Sequence, residues 1–114
     1  GRGRWSVGLR IEVADFAQAM ETILLKNDHK GGWDDMDLSE LFLRLREETF
    51  ELKRAISEFE KEYNACCSKG PVWYREYERR VFPYVERIRT EAVDVANFAM
   101  MIWKTTIDGL KEKP

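Results

Sequence analysis

The sequence is poor in residues that interrupt helices and in those that bind soft metals. Its 114 residues include three prolines, two adjacent cysteines and a single histidine. Adjacent cysteines cannot form an ordinary disulfide framework, and one histidine excludes a two-histidine zinc motif within a subunit. Any metal site in this chain is therefore expected to consist of carboxylates.

Long apolar runs and an excess of positive charge are absent as well. No stretch approaches the roughly 20 apolar residues that cross a bilayer, and 19 basic against 21 acidic side chains give a net charge of −2. Neither a membrane nor a nucleic-acid polymer is therefore an expected partner. No signal-peptide pattern opens the sequence, so we expect a cytoplasmic protein. The length predicts a single domain over residues 1–114.

Apolar residues recur at the three-and-four spacing of helices, and β-branched alternation is nearly absent. This pattern predicts an all-α fold, a bundle of four to five helices. The expected helices cover about 11–26, from an N-cap at Asp37 to about 63, 73–81, and from Pro83 to about 107, with a break over 64–71.

An acidic residue interrupts the apolar face of two predicted helices. In the helix after Asp37, Glu48 falls within a series formed by Leu38, Leu41, Leu45, Leu52, Ala55 and Phe59. In the last helix, Glu91 falls within a series formed by Tyr84, Ile88, Val95, Phe98 and Ile102. At about 100° per residue, Glu51 lies at the edge of the first series and Glu47 lies well round toward the opposite side.

Inward carboxylates need compensation, because burial and like charges both disfavour their ionised form. The two apolar series contain no lysine or arginine at comparable positions, so a divalent cation is the favoured compensation. The pairs Glu48/Glu51 and Glu91/Asp94 are each spaced three residues apart and would offer four hard oxygen ligands, which suit Mg²⁺ or Mn²⁺. A solvated acidic face is the alternative reading of either pair alone.

The same acids belong to two runs that resemble motifs of a known protein family. The run Glu47-Glu48-Thr49-Phe50-Glu51 resembles the EExxE motif, and Glu91-Ala92-Val93-Asp94 the ExxD motif, of the MazG-like nucleoside triphosphate pyrophosphohydrolases. The resemblance covers roughly residues 16–103. It implies Mg²⁺-dependent cleavage of a (deoxy)nucleoside triphosphate between its α and β phosphorus atoms, giving monophosphate and pyrophosphate, with Mn²⁺ as a substitute. The 40 positions from Glu51 to Glu91 exceed the short connection of compact family members.

The resemblance also assigns roles to individual residues. It implies that the metal ligands are Glu48, Glu51, Glu91 and Asp94. Glu47, the remaining acid of the motif, would orient or deprotonate the attacking water.

Three further residues are candidates for substrate binding. Lys30 offers a point charge for phosphate, and Trp33 offers an aromatic face for a nucleobase. Asn97, three residues beyond Asp94, would bind substrate or complete the metal shell. Two of them have a structural alternative, in which Trp33 fills a core and Asn97 bonds to a neighbouring helix.

The partner most expected besides a nucleotide is a second copy of the chain. The last helix has a second apolar face, and Leu43 and Phe50 lie opposite the main face of the second helix. These surfaces favour a homodimer or a dimer of dimers, unless the first helix and the segment before Pro83 cover them. A non-catalytic binding module is the alternative function, and a di-iron bundle is excluded because it needs Glu-x-x-His pairs.

Overall fold

The computed structural model describes residues 8–28, 32–68 and 74–112, without the side chains of 74–77 and 108–112. Three helices account for most of this part of the chain, and none of it lies in a strand. They are α1 (Ile11–Asn27), α2 (Leu38–Cys67) and α3 (Tyr74–Glu112). The all-α prediction is confirmed, whereas the described ranges contain three helices rather than four to five.

The start of α2 follows from the chemistry of its first turn. Asp37 has an extended backbone, and its Oδ1 accepts a hydrogen bond of 2.9 Å from the backbone N–H of Glu40. This bond satisfies one of the N–H groups that have no partner within the helix. The predicted N-cap is thus confirmed, and it fixes the register that places Leu41 in the core.

The expected break at Asn64 is wrong, because α2 continues to Cys67. Ala65 and Cys66 are half-buried, so the face that packs on the rest of the molecule continues through this turn. Ser68 then ends the helix, where its backbone N–H donates to the carbonyl of Asn64 at 3.0 Å and its hydroxyl donates to the carbonyl of Ala65 at 2.9 Å.

The expected division into a short helix over 73–81 and a last helix from Pro83 is also wrong. Pro83 lies inside the continuous helix α3, which runs past residue 107 to Glu112. A proline here removes one backbone hydrogen bond, but tertiary contacts hold the preceding turn. Val81 is buried, and Arg80 forms an ion pair with Glu62 of α2 at 2.8 Å. These contacts outweigh the helix-breaking tendency of the proline.

Helices α2 and α3 form a long antiparallel hairpin. The side chains that meet across it run in opposite directions along the two helices, from the Glu62–Arg80 pair near one end to Arg44 and Phe98 near the other. Helix α1 packs mainly against α3, where the Nδ2 of Asn97 donates to the carbonyl of Met20 at 3.4 Å. The hairpin is therefore the frame, the pair of packed helices, that positions the acidic residues.

Few side chains of this frame are fully buried. The buried hydrophobic residues among those described are Leu41, Ala55, Val81, Val93 and Met101, and helix α1 contributes none. The Cα radius of gyration is 18.4 Å, against about 13 Å for a compact domain of this length. The chain is thus elongated and leaves much apolar surface in contact with solvent. In the described part of the chain, no helix is both long and apolar enough to cross a membrane.

Candidate metal centre

Three carboxylates from the two hairpin helices meet at one place. Glu48 of α2 and Glu91 and Asp94 of α3 can each offer an oxygen such that all three oxygens lie within 4.8 Å of one another. All three residues are half-buried. We call these residues the acidic triad. Both sequence motifs contribute to it, although they lie far apart in the chain.

Helix periodicity explains why these acids face each other. Glu48 lies on the side of α2 that also carries the buried residues Leu41 and Ala55, seven residues before and after it. Glu91 and Asp94 are three residues apart, so they lie on one face of α3. The predicted inward position of Glu48 is confirmed, since only 17% of its side chain is exposed.

The triad disfavours its own ionisation. Burial, followed by the charges of Asp94 and Glu91 and a hydrogen bond with Glu91, raises the pKa of Glu48 above its ordinary value of 4.5. Burial and the charge of Glu91 raise the pKa of Asp94 above its ordinary value of 3.8. In both cases the positive charge of Arg44 opposes the shift without reversing it. The folded chain therefore carries an incompletely compensated cluster of negative charge.

Arg44 is a basic neighbour of the triad that the apolar series do not indicate. Its Nη2 lies 3.5 Å from Oε1 of Glu48, its Nη1 donates to Oε2 of Glu47 at 2.7 Å, and its guanidinium carbon lies 5.2 Å from the ring centroid of Phe98. The two apolar series contain no basic residue, as the sequence shows, yet Arg44 reaches Glu48 from beside the series. Arg44 lies outside the apolar series, but it precedes Glu48 by four residues, a spacing that allows ion pairing on a helix.

The two other acids of the EExxE motif lie at the margin of the triad. Glu51 pairs with Arg87 of α3 at 3.6 Å and with Arg54 at 3.4 Å, and 40% of its side chain is exposed. Glu47 pairs with Arg44 and is 62% exposed. Exposure thus increases from Glu48 through Glu51 to Glu47, as the helical angles predict. The structure brings neither residue into the acidic triad, and their predicted roles remain predictions.

Asn97 is the more buried of the two predicted substrate-binding residues that the structure describes. It is 3% exposed, and its Oδ1 has no hydrogen-bond partner although its Nδ2 is bonded to Met20. An unpartnered buried oxygen costs free energy, and it lies one turn along α3 from Asp94. The structural alternative, a bond to a neighbouring helix, accounts for the amide nitrogen but not for the oxygen.

The remaining two candidates lie in or near the segment between α1 and α2. Trp33 is half-buried, and its carbonyl accepts a hydrogen bond from the N–H of Met36 at 3.0 Å. Lys30 lies outside the described residues. The predicted contacts of these two residues with a substrate therefore remain predictions.

The donor set of the triad is suited to a hard divalent cation. Carboxylate oxygens are the preferred protein ligands of Mg²⁺, Ca²⁺ and Mn²⁺, and a cation would relieve the repulsion that raises the two pKa values. Neither cysteine belongs to the group, so soft-metal chemistry has no support at this position.

Comparisons with known proteins leave the family open. No protein-family model matches the chain, and no match is found among curated proteins or solved structures. The interpretation of the triad therefore depends on its residues and geometry.

Proposed function

We propose that this protein is a divalent-cation-dependent nucleoside triphosphate pyrophosphohydrolase. The observation that carries the proposal is the meeting of Glu48 from the EExxE-like run with Glu91 and Asp94 from the ExxD-like run, with oxygens within 4.8 Å. Nothing in local helix chemistry requires two distant motifs to direct their acids at one another. Because like charges repel, this arrangement favours a role in holding a cation.

In this proposal each polar group has a defined task. Glu48, Glu91 and Asp94 hold Mg²⁺ or Mn²⁺, and Glu51 joins them when it leaves its arginine partners. When bound, the metal supplies neutralisation of phosphate charge and polarisation of the phosphoryl group. Glu47 orients or deprotonates the attacking water.

The predicted substrate contacts complete the site. The unpartnered Oδ1 of Asn97 accepts a hydrogen bond from the nucleotide or joins the metal shell. Lys30 contacts a phosphate group and Trp33 stacks on the base, as the sequence suggests. The physiological substrate is then a canonical or modified (d)NTP of the cytoplasmic pool.

A second copy of the chain belongs to the proposed assembly. The accessible surface of 9326 Å² exceeds the about 6,500 Å² expected for a compact protein of this mass. Large apolar side chains remain exposed, among them Phe42, Phe50 and Trp103 at 55%, 63% and 62%. We expect sedimentation equilibrium to report a dimer or tetramer, and Phe50→Glu to lower the association constant by at least about tenfold, since burying a charge in an apolar interface is costly. A monodisperse wild-type monomer would refute this part of the proposal.

The decisive experiment for the reaction compares the released phosphate species. Purified protein is incubated with a panel of canonical and modified (d)NTPs in Mg²⁺, Mn²⁺ or EDTA, and pyrophosphate and orthophosphate are measured separately. The proposal expects pyrophosphate and monophosphate in equal amounts, with no turnover in EDTA. Release of orthophosphate would indicate a different reaction, and folded protein that binds metal but turns over no nucleotide would favour the binding module.

A further inference from the structure

Arg44 contacts groups of both hairpin helices. Its guanidinium bonds to Glu47 at 2.7 Å and lies over the ring of Phe98. Its second terminal nitrogen is 3.5 Å from Glu48, a member of the acidic triad. The guanidinium therefore has two anchors outside the triad and one contact with it.

Two arginines of α3 have a different arrangement. Arg80 and Arg87 of α3 pair with acids of α2 that do not belong to the triad, namely Glu62 for the first and Glu51 and Glu58 for the second. These pairs join the two helices. The ion pairs of Arg44 instead stay within α2, so they do little to hold the hairpin together. Its guanidinium nevertheless reaches both helices, because it lies 3.5 Å from Glu48 of α2 and 5.2 Å from the ring centroid of Phe98 of α3, four residues after Asp94.

We propose that Arg44 is the resident counter-cation of the acidic triad and that a divalent cation displaces its guanidinium from Glu48. This inference rests on the proposed metal site. A metal ion and a guanidinium repel each other, and the ionised Glu48 oxygen cannot be fully engaged by both. Glu47 and Phe98 keep the displaced group next to the site, where its N–H donors face outward for an anionic group such as phosphate.

Competition of this kind fixes the sign of a measurable effect. Without Arg44, a cation no longer has to displace a positive group, and the triad is more negative. The Arg44→Gln variant should therefore bind Mn²⁺ about threefold to fivefold more tightly than the wild type, the upper part of the range expected for a partly exposed ion pair. A residue with a purely structural role would leave the affinity unchanged or weaken it.

The experiment is a calorimetric titration of metal-stripped protein with Mn²⁺ alone, at low ionic strength. Arg46→Gln is the matched control, because it removes the same charge from α2 two residues away, about 200° round the helix. Its affinity for Mn²⁺ should stay within about twofold of the wild-type value. Arg44→Lys, which keeps the charge, should likewise stay near the wild type, and circular dichroism checks that each variant is folded.

Each outcome decides the proposal. Tighter binding by Arg44→Gln alone supports it, and equal tightening by Arg46→Gln would reduce the effect to net charge and overturn it. Unchanged or weaker binding by Arg44→Gln also overturns it while leaving the metal site intact. A wild-type protein that binds no Mn²⁺ would overturn the proposed function and this inference together.

A second measurement uses the unmodified chain. The Nε–Hε resonance of Arg44 should shift when Mg²⁺ is added, because the guanidinium loses its Glu48 contact. The corresponding resonance of Arg46 should not shift. An unchanged Arg44 resonance at saturating Mg²⁺ would contradict displacement, even if the variants failed to fold.

Discussion

The two halves of the α2–α3 hairpin handle half-buried acids in opposite ways. In one half, Glu62 and Glu58 of α2 each pair with an arginine of α3, at 2.8 Å in the case of Glu62 and Arg80. In the other half, Glu48 of α2 faces two more acids of α3. The exposed fractions of the Glu62 and Glu48 side chains are similar, at 22% and 17%, so burial does not explain the difference.

In one half of the hairpin, arginines neutralise the half-buried acids. In the other half, this neutralisation is incomplete. Arginines opposite Glu62 and Glu58 neutralise acids whose task is to join two helices. At the triad, Arg44 on the same helix as Glu48 is the only compensating charge among the described residues, and the pKa values of Glu48 and Asp94 stay raised. Incomplete compensation is expected at a site that receives a positive ligand.

The largest expected effect is a loss of activity on substitution in the half of the hairpin that contains the triad, and not in the other half. Glu48→Gln or Asp94→Asn should lower kcat/KM for the best nucleotide by more than about 100-fold, because even partners of metal ligands contribute about 10- to 100-fold. Glu62→Gln makes the same chemical change at a similarly buried position of α2, and its kcat/KM should stay within about threefold of the wild type. Equal losses in all three variants would mean that the acids act through the fold rather than through the triad.

A smaller effect concerns stability without metal. Because folding raises the pKa of Glu48 and Asp94, the folded state binds more protons than the unfolded chain, and the free energy of unfolding falls as pH rises above about 3.8–4.5. Glu48→Gln should therefore stabilise the apo protein at pH 7, on the order of 1 kcal/mol, the scale of one partly exposed charge interaction.

This gain should disappear toward pH 3, where the wild-type carboxyls are protonated. Urea unfolding in EDTA at pH 3, 5 and 7 measures it. Lower stability of Glu48→Gln at pH 7 would assign a structural role to the charged form of Glu48. In the control, Glu62→Gln should lose stability at pH 7, because it removes a paired acid.

The smallest expected effect is the coupling energy of the Glu62–Arg80 pair, in the half of the hairpin where acids pair with arginines. A double-mutant cycle of Glu62→Gln and Arg80→Gln should give a coupling energy of about 0.5–1 kcal/mol, since both side chains are partly exposed. High salt should reduce it. A coupling near zero at low salt would show that the Glu62–Arg80 pair does not stabilise the hairpin, and the contrast between the two halves would then lose its energetic basis at this pair.

Periodicity and capping made part of this structure predictable from the sequence. The all-α class, the N-cap at Asp37 and the inward direction of Glu48 depend on interactions within one helix, and all three are confirmed. The spacing of the acids also anticipated that Glu48 would meet Glu91 and Asp94, whereas Glu51 lies between two arginines.

The remainder depends on contacts that local sequence does not encode. Arg44 was missed because a long side chain on the flank of a helix reaches the interface without lying on its apolar face. The continuity of α3 through Pro83 depends on Val81 and on the Glu62–Arg80 pair, which are tertiary contacts. Propensity alone favours a helix boundary at such a proline.

Pro83 also interrupts the backbone hydrogen bonding along α3. Proline has no backbone N–H, so Pro83 cannot donate a hydrogen bond to the carbonyl of Arg79. One bond is therefore missing between the first turns of α3 and the long segment that carries Glu91 and Asp94. Opening the turns before Pro83 would cost the burial of Val81 and the Glu62–Arg80 ion pair, but none of the backbone hydrogen bonds of the later segment. Unwinding of α3 up to Pro83 would therefore leave in place the hydrogen bonds of the segment that carries the acidic triad.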